Sequence, residues 1–291
     1  IRDIDRSRGL GDVYKRHGLT WEKGDVVLTT DREHNSNLVP WLQLEQEQGI
    51  DHRVVPSHPD NTFDMEAFEA ACAEAGKNLK MVAMSHVGNL DGIEVPVAEV
   101  TKVARDHDAL VAIDGAQSTP HMNVDVQALD IDFLSFSIHK MCGPSGMGGL
   151  WGRYDLLDGM RTIQSGGQTV QTSSYTDATW AAPPARFEGG LGNFSGMMAT
   201  GAAIDYLSKL DMDAVHEHEI ALNRIMTEGV KDLPGVSIIG PEDPTKRGGI
   251  CSMLMDDLPA HDVALLLDEA AGVMVRSCLL YTSDAADDRV S

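Results

Sequence analysis

Two residues that together could support Schiff-base chemistry follow two apolar runs of this sequence. Asp114 ends the run 111–114, and Lys140 follows the run 133–136. Short runs rich in β-branched and aromatic residues predict buried strands. Ligands bind beyond the carboxyl ends of strands in open α/β sheets, so we expect Asp114 and Lys140 to face one pocket. A lysine can form a Schiff base with pyridoxal 5'-phosphate (PLP), and a carboxylate can keep its pyridine nitrogen protonated, so the pair predicts a PLP site.

Helices and strands are predicted to alternate around these residues. Asp64 is expected to cap a helix that ends near Ala75, residues 81–85 to form a strand, and Pro96 to open the next helix. This alternation predicts an α/β fold with a mostly parallel sheet in a large domain.

The pattern of elements changes beyond Ser195. The elements predicted there are a helix through Leu207, a helix over about 214–231, strands near Val236, Cys251 and 272–275, and a helix over 262–271. They predict a small α+β domain at the C-terminal side. We therefore predict a large PLP-binding domain over 1–209 that lacks its N-terminal part, an incomplete small domain over 210–277, and a non-native tail over 278–291.

Composition excludes some classes of function. The chain has 45 acidic and 23 basic residues, a formal net charge of −22, which argues against a nucleic-acid-binding surface. No apolar run approaches the length of a membrane span, and no signal peptide is visible. The four cysteines lack the spacing of zinc ligands or of a disulfide framework, so we expect a reducing cytoplasm.

A series of ordered motifs resembles the group II cysteine desulfurase and selenocysteine lyase family, within the class V aminotransferases of PLP fold type I. The order and spacing match across about residues 18–277. The matching segments are Arg32–Trp41, Ser85–Asn89, Asp114–Gln117, Phe133–Lys140, Arg186–Gly190 and Val275–Ser277.

The resemblance implies catalytic roles for three residues. Lys140 forms the Schiff base and moves the substrate α-proton, Asp114 pairs with the ring nitrogen, and His34 stacks on the ring. Each also has a simpler interpretation. A lysine at a strand end is often a solvated residue, and an aspartate there is often a turn residue. His34 stands in a cluster typical of a helix N-cap, in which Asn35, Ser36 or Asn37 would cap the helix.

The remaining site residues are predicted to bind cofactor or substrate. In the family, Gln117 and Asn89 correspond to donors to the phenolic oxygen, and Ser137 and His139 to phosphate contacts. Arg276 corresponds to the arginine that takes the substrate α-carboxylate, which suits a guanidinium fork. The alternatives are a packed histidine for His139 and a surface ion pair for Arg276.

The resemblance implies a PLP-dependent cysteine desulfurase that converts L-cysteine to L-alanine and passes the sulfur to an enzyme cysteine as a persulfide. It also implies a homodimer, a sulfur-acceptor protein, and a place in sulfur metabolism and iron–sulfur cluster assembly; no metal site, nucleic acid or membrane partner is expected. Selenocysteine lyase, another class V activity and a non-catalytic fragment remain alternatives.

The sequence departs from the family in four places. Cys278 lies two residues after Arg276, whereas the catalytic cysteine of the family lies about five after it. Residues 278–291 match nothing in the family, and residues 1–17 lack its phosphate-binding turn. Leu191 stands where related enzymes often have a threonine that reaches the neighbouring subunit. Without closing elements, we expect apolar faces around Leu265, Leu266, Val273 and Val275 to lack cover.

Overall fold

A computed structural model describes residues 18–277 and contains a central six-stranded sheet. The strand order is β2-β1-β3-β4-β5-β6; β1 to β5 pair in parallel, and β6 is antiparallel to β5. The α/β, mostly parallel architecture predicted from the sequence is confirmed. The strands are β1 (Val26–Thr30), β2 (Asp51–Val55), β3 (Leu79–Ser85), β4 (Leu110–Asp114), β5 (Phe133–Ser137) and β6 (Gly148–Gly152).

Helices between the strands cover the sheet with their apolar residues. They are α1 (Asn35–Gln48), α2 (Met65–Ala75), α3 (Val97–Asp106) and α4 (Tyr154–Gly159). Asp64 caps α2 as predicted, because its side chain accepts a hydrogen bond from the Ala67 amide at 2.9 Å. Pro96 precedes α3, which buries Val97, Val100, Thr101 and Ala104. These faces and the strand side chains form two apolar layers, one on each side of the sheet.

The direction in which the chain adds strands to the sheet reverses after β2. From β1 the chain moves outward to β2, then returns past β1 to form β3 on its other side. A crevice opens at the carboxyl ends of the strands where the direction of winding changes, and ligands bind there in open α/β sheets. Loops after β1 and β3 flank this crevice, and the loops after β4 and β5 extend the same edge.

The C-terminal part carries the predicted helices and two small sheets. Its elements are β7 (Val170–Ser173) paired with β8 (Ala178–Trp180), α5 (Phe194–Leu207), α6 (Met212–Val230), β9 (Val236–Ile238) paired with β10 (Met253–Met255), and α7 (Ala260–Ala271). The two predicted long helices, the two predicted short strands and the last helix are confirmed within a few residues. The domain division near residue 210 stays a prediction.

One predicted strand of this part is wrong. Residues 272–277 form no regular element, because no strand in the described part of the chain pairs with them. The expected lack of cover is confirmed, since Leu265, Leu266, Val273 and Val275 are all exposed. The predicted tail, including Cys278, and residues 1–17 lie outside the described residues.

An ionic cluster at the amino edge of the sheet joins β4, β5 and β6. Asp132 accepts hydrogen bonds from the Val111 amide at 2.7 Å and from Arg105 at 2.7 Å, and its other oxygen lies 3.0 Å from Arg153 Nε. Asp130 binds the same two arginines. The side chain of Asp132 is 4 % exposed, whereas that of Asp130 is 58 % exposed.

Because Asp132 is buried and Asp130 is exposed, we expect their substitutions to lower the free energy of unfolding by different amounts. Asp132→Asn leaves a buried amide group facing a guanidinium, so we expect the free energy of unfolding to fall by roughly 3 kcal/mol. Asp130→Asn is the matched control, because asparagine tolerates its positive φ and exposed ion pairs contribute below about 1 kcal/mol. Urea denaturation of the two variants measures both values. Equal losses would contradict this interpretation of the cluster.

Candidate active site

The carboxyl ends of β3, β4 and β5 bring most of the predicted site residues to one edge. Ser85, the last residue of β3, pairs with Asp114, the last residue of β4, and Asp114 pairs with Ser135 of β5. The turn after β3 carries Asn89, and a single 3-10 turn, Ile138–Lys140, follows β5 directly. Asp114 thus ends one strand and Lys140 follows the neighbouring parallel strand, as the apolar runs before them predicted.

Asp114 is a buried carboxylate at this edge. The residue is 8 % exposed, and its Oδ1 accepts a hydrogen bond from the Ala116 amide at 2.9 Å. It forms no ion pair within residues 18–277. The turn interpretation of Asp114 therefore holds for one oxygen, and the carboxylate has no cationic partner among the described residues. Such a group suits a cationic ring nitrogen.

The loop after Lys140 is tightly folded against the end of β5. Amides of Met141 and Gly143 both donate to the Ile138 carbonyl, at 2.9 and 3.0 Å. A Cβ at Gly143 would come within 2.3 Å of the Ile138 side chain, so this position requires glycine. Residues 141–147 form this tight loop, which leads into β6. Ser137 is buried at the end of β5, and His139 and Lys140 are partly exposed.

His34 lies at the end of β1, on the other side of the crevice from Asn89. It is the N-cap of α1, and its Nδ1 accepts from the Ser36 amide at 3.1 Å. The predicted helix start is confirmed, but the imidazole of His34 is the cap, so the prediction that Asn35, Ser36 or Asn37 caps the helix is wrong. His34 is exposed, and Asn89 is partly exposed in its turn. Stacking of His34 on a ring stays a prediction.

The two remaining predicted residues are Gln117, in the loop after β4, and Arg276. Gln117 lines a cavity of about 820 Å³ between the loops after β3 and β4, helix α6 and residues 245–250; none of the other described site residues lines it. His121 and Glu219 join two walls of this cavity, with 2.6 Å between Nδ1 and Oε1. Arg276 is exposed in the irregular segment after α7 and makes no ion pair with another described residue. Its role as a carboxylate ligand stays a prediction.

Three residues beside the crevice were not assigned roles from the sequence. Glu33 and Arg32 precede His34 and bind residues of β3 and its loop. His86 donates its amide to the Asp114 carbonyl at 3.0 Å, and its buried Nδ1 has no hydrogen-bond partner among the described residues. Glu33 and Arg32 belong to the matching segment Arg32–Trp41. Their contacts with Ser85 and Asp91, 52 and 59 positions away, are revealed only by the fold.

The described cysteines differ in exposure. Cys72 is fully buried on α2, and burial raises the pKa of its thiol to about 12, which makes it unreactive at neutral pH. Cys251 is partly buried. Cys142 is exposed, with a backbone φ of +59° in the loop after Lys140.

Within residues 18–277 no group of three or more acidic, histidine or cysteine side chains could hold a metal ion. None of the described helices is long and apolar enough to cross a membrane.

Comparison with known protein families and proteins gives matches that agree with one another. The family model described as Aminotransferase class-V matches residues 12–279. A cysteine desulfurase of Serratia proteamaculans is 40% identical over 269 residues, which cover 92% of this chain and 64% of that protein. A probable cysteine desulfurase of Halalkalibacterium halodurans is 38% identical over 255 residues, or 88% of this chain and 61% of that protein.

The fold is also similar to solved structures. The apo structure of a cysteine desulfurase from Thermococcus onnurineus superposes with a TM-score of 0.88 at 32% identity, covering 93% of this chain and 67% of that one. The chain spans about three fifths of the length of the curated relatives it matches.

Proposed function

Because this chain belongs to the class-V aminotransferase family, we propose that it is a PLP-dependent cysteine desulfurase, which converts L-cysteine to L-alanine and passes the sulfur to an enzyme cysteine as a persulfide. The observation that carries the proposal is that Asp114 ends β4 and Lys140 ends the 3-10 turn that follows β5, the neighbouring parallel strand. The relatives named cysteine desulfurase support the choice of substrate.

The side chains at this edge fit PLP. A buried carboxylate without a cation, a lysine, a buried hydroxyl and imidazole groups match the ring nitrogen, aldehyde, phosphate and ring face of that cofactor. When bound, PLP withdraws electrons from the substrate α-carbon and so makes its proton acidic.

Two residues would carry the chemistry of the chain itself. Lys140 would hold PLP covalently, and after substrate displaces it the free amine would take the α-proton. Asp114 would hold the proton on the ring nitrogen through a charge-assisted hydrogen bond. Its burial strengthens that bond, since the local dielectric constant is lower than in water.

The other predicted residues would bind and orient the cofactor and the substrate. His34 would cover one face of the ring, Asn89 and Gln117 would donate to the phenolic oxygen, and Ser137 with His139 would bind the phosphate. Arg276 would bind the substrate carboxylate as a bidentate partner.

We also propose a homodimer, a sulfur-acceptor protein and a cytoplasmic location. Exposed apolar side chains around the start of α5 support an interface between copies; they include Leu191, Phe194, Met197 and Met198. The absence of disulfide spacing among the four cysteines supports a reducing compartment.

Sulfide release tests the role of Cys278. Because this residue lies two rather than about five positions after Arg276, we expect the 291-residue chain to bind PLP yet to release little or no sulfide from L-cysteine, with or without Cys278→Ser. Sulfide and alanine are both measured in the presence of a dithiol, which reduces an enzyme persulfide to the thiol and sulfide. Robust turnover that Cys278→Ser abolishes would identify Cys278 as the nucleophile, and turnover unaffected by it would favour Cys142 or another lyase chemistry.

A further inference from the structure

Glu33 holds together three separate parts of the chain at the crevice. Its carboxylate accepts from Thr30 Oγ1 at 2.7 Å at the end of β1, and from Asn37 Nδ2 at 2.7 Å in the first turn of α1. It also accepts from Ser85 at the end of β3, through the amide at 3.0 Å and the hydroxyl at 2.8 Å. We call these residues, Thr30, Glu33, Asn37 and Ser85, the crevice clamp.

The residue before Glu33 anchors the loop after β3. Arg32 forms an ion pair with Asp91, whose side chain is 2 % exposed. Asp91 Oδ1 accepts from the Ile93 amide at 3.2 Å, and a Cβ at Gly88 would come within 2.2 Å of the same oxygen. The loop that carries Asn89 is therefore packed closely around Asp91 and tied to the segment that ends in His34.

These contacts couple the two sides of the crevice. His34 directly follows Glu33, and Asn89 lies four residues after Ser85. Both belong to short segments that begin beside a residue of the clamp. A rigid clamp fixes the distance between the two side chains, and preorganisation of this kind lowers the cost of binding a planar ligand between them.

We propose that Glu33 is a positioning residue for the cofactor site, which acts through His34 and Asn89 and does not touch the cofactor. The inference rests on the proposed PLP function, but the clamp itself can be measured without PLP. A carboxylate is required because every group around it is an N–H or hydroxyl donor, and only an acceptor on both oxygens satisfies all of them. Burial raises the pKa of Glu33, and the hydrogen bonds from Asn37, Thr30 and Ser85 oppose that rise.

Glu33→Gln is the sharpest test, because glutamine has the same shape but turns an NH₂ group toward the donors of Ser85 or Asn37. Hydrogen–deuterium exchange of the 291-residue chain without PLP reports the clamp directly. We expect exchange to rise about tenfold in both residues 34–38 and residues 86–92, although these segments are far apart in sequence. Asp130→Asn is the control, because it removes an exposed carboxylate from the opposite edge of the same sheet at little cost in stability and should leave both segments unchanged.

PLP affinity gives the second measurement, by fluorescence titration. Glu33→Gln should weaken binding about tenfold, Asp130→Asn should not, and Ser85→Ala, which removes only one donor, should fall between. A Glu33→Gln protein with unchanged exchange in residues 86–92, or with unchanged PLP affinity, would overturn the inference. Failure of the unsubstituted chain to bind PLP would instead contradict the proposed function, while the exchange measurement would still decide whether the clamp exists.

Discussion

Replacement of Lys140 with alanine is expected to slow exchange of the α-proton of L-alanine with solvent by about 10³-fold or more. The residue would supply both the covalent attachment of PLP and the base that takes the proton, and loss of a positioned base alone costs roughly 10²–10⁴-fold. The reaction is followed by proton NMR in deuterium oxide with PLP-loaded protein. It uses L-alanine, the product of the proposed reaction, so it does not require the cysteine that accepts sulfur.

Lys102→Ala is the control for the Lys140 variant, since Lys102 is exposed on α3. It should exchange the α-proton at the rate of the unsubstituted chain. A Lys140→Ala protein that keeps this rate would show that another group takes the proton.

Replacement of Asp114 with asparagine is expected to slow the same exchange by about 10²-fold while PLP stays attached to Lys140. Asparagine can still accept the hydrogen bond from Ala116, but it cannot stabilise a positive charge on the ring nitrogen, so the electron-withdrawing power of the ring falls. Visible absorbance measures attachment of PLP, and NMR measures the exchange rate. The two readings separate the electronic role of Asp114 from the covalent role of Lys140.

Asp132→Asn serves as the control, because it removes a second buried aspartate carboxylate bound to the same sheet. It should be less stable but equally active per folded molecule. If Asp114→Asn exchanged the α-proton at an undiminished rate, Asp114 would be only the turn residue that its contact with Ala116 describes.

The parts of the fold that depend on local signals could be predicted from the sequence. Asp64 and Pro96 mark helix starts because capping and the fixed φ of proline act within one turn. Asp114 and Lys140 could be paired because parallel strands place their carboxyl ends at one edge. Those rules need no knowledge of distant contacts.

The features that depend on distant contacts could not be predicted. The clamp at Glu33 joins it to Ser85, 52 positions away, and nothing in either segment alone indicates that pairing. Residues 272–275 have the composition of a strand, but a strand also needs a neighbour, and none lies beside them in the described part. The position of Gln117 on the wall of a cavity likewise depends on α6 and on residues 245–250, which form other walls of it.

The central claim is that this edge of the sheet binds PLP through Lys140, and borohydride reduction tests it most directly. The chain is incubated with PLP, reduced, digested and analysed by mass spectrometry. We expect a visible absorbance band before reduction and a single pyridoxyl adduct on Lys140 afterwards, at about one per chain. An adduct on another lysine, or no adduct at all, would contradict the assignment of the site and of the function that rests on it.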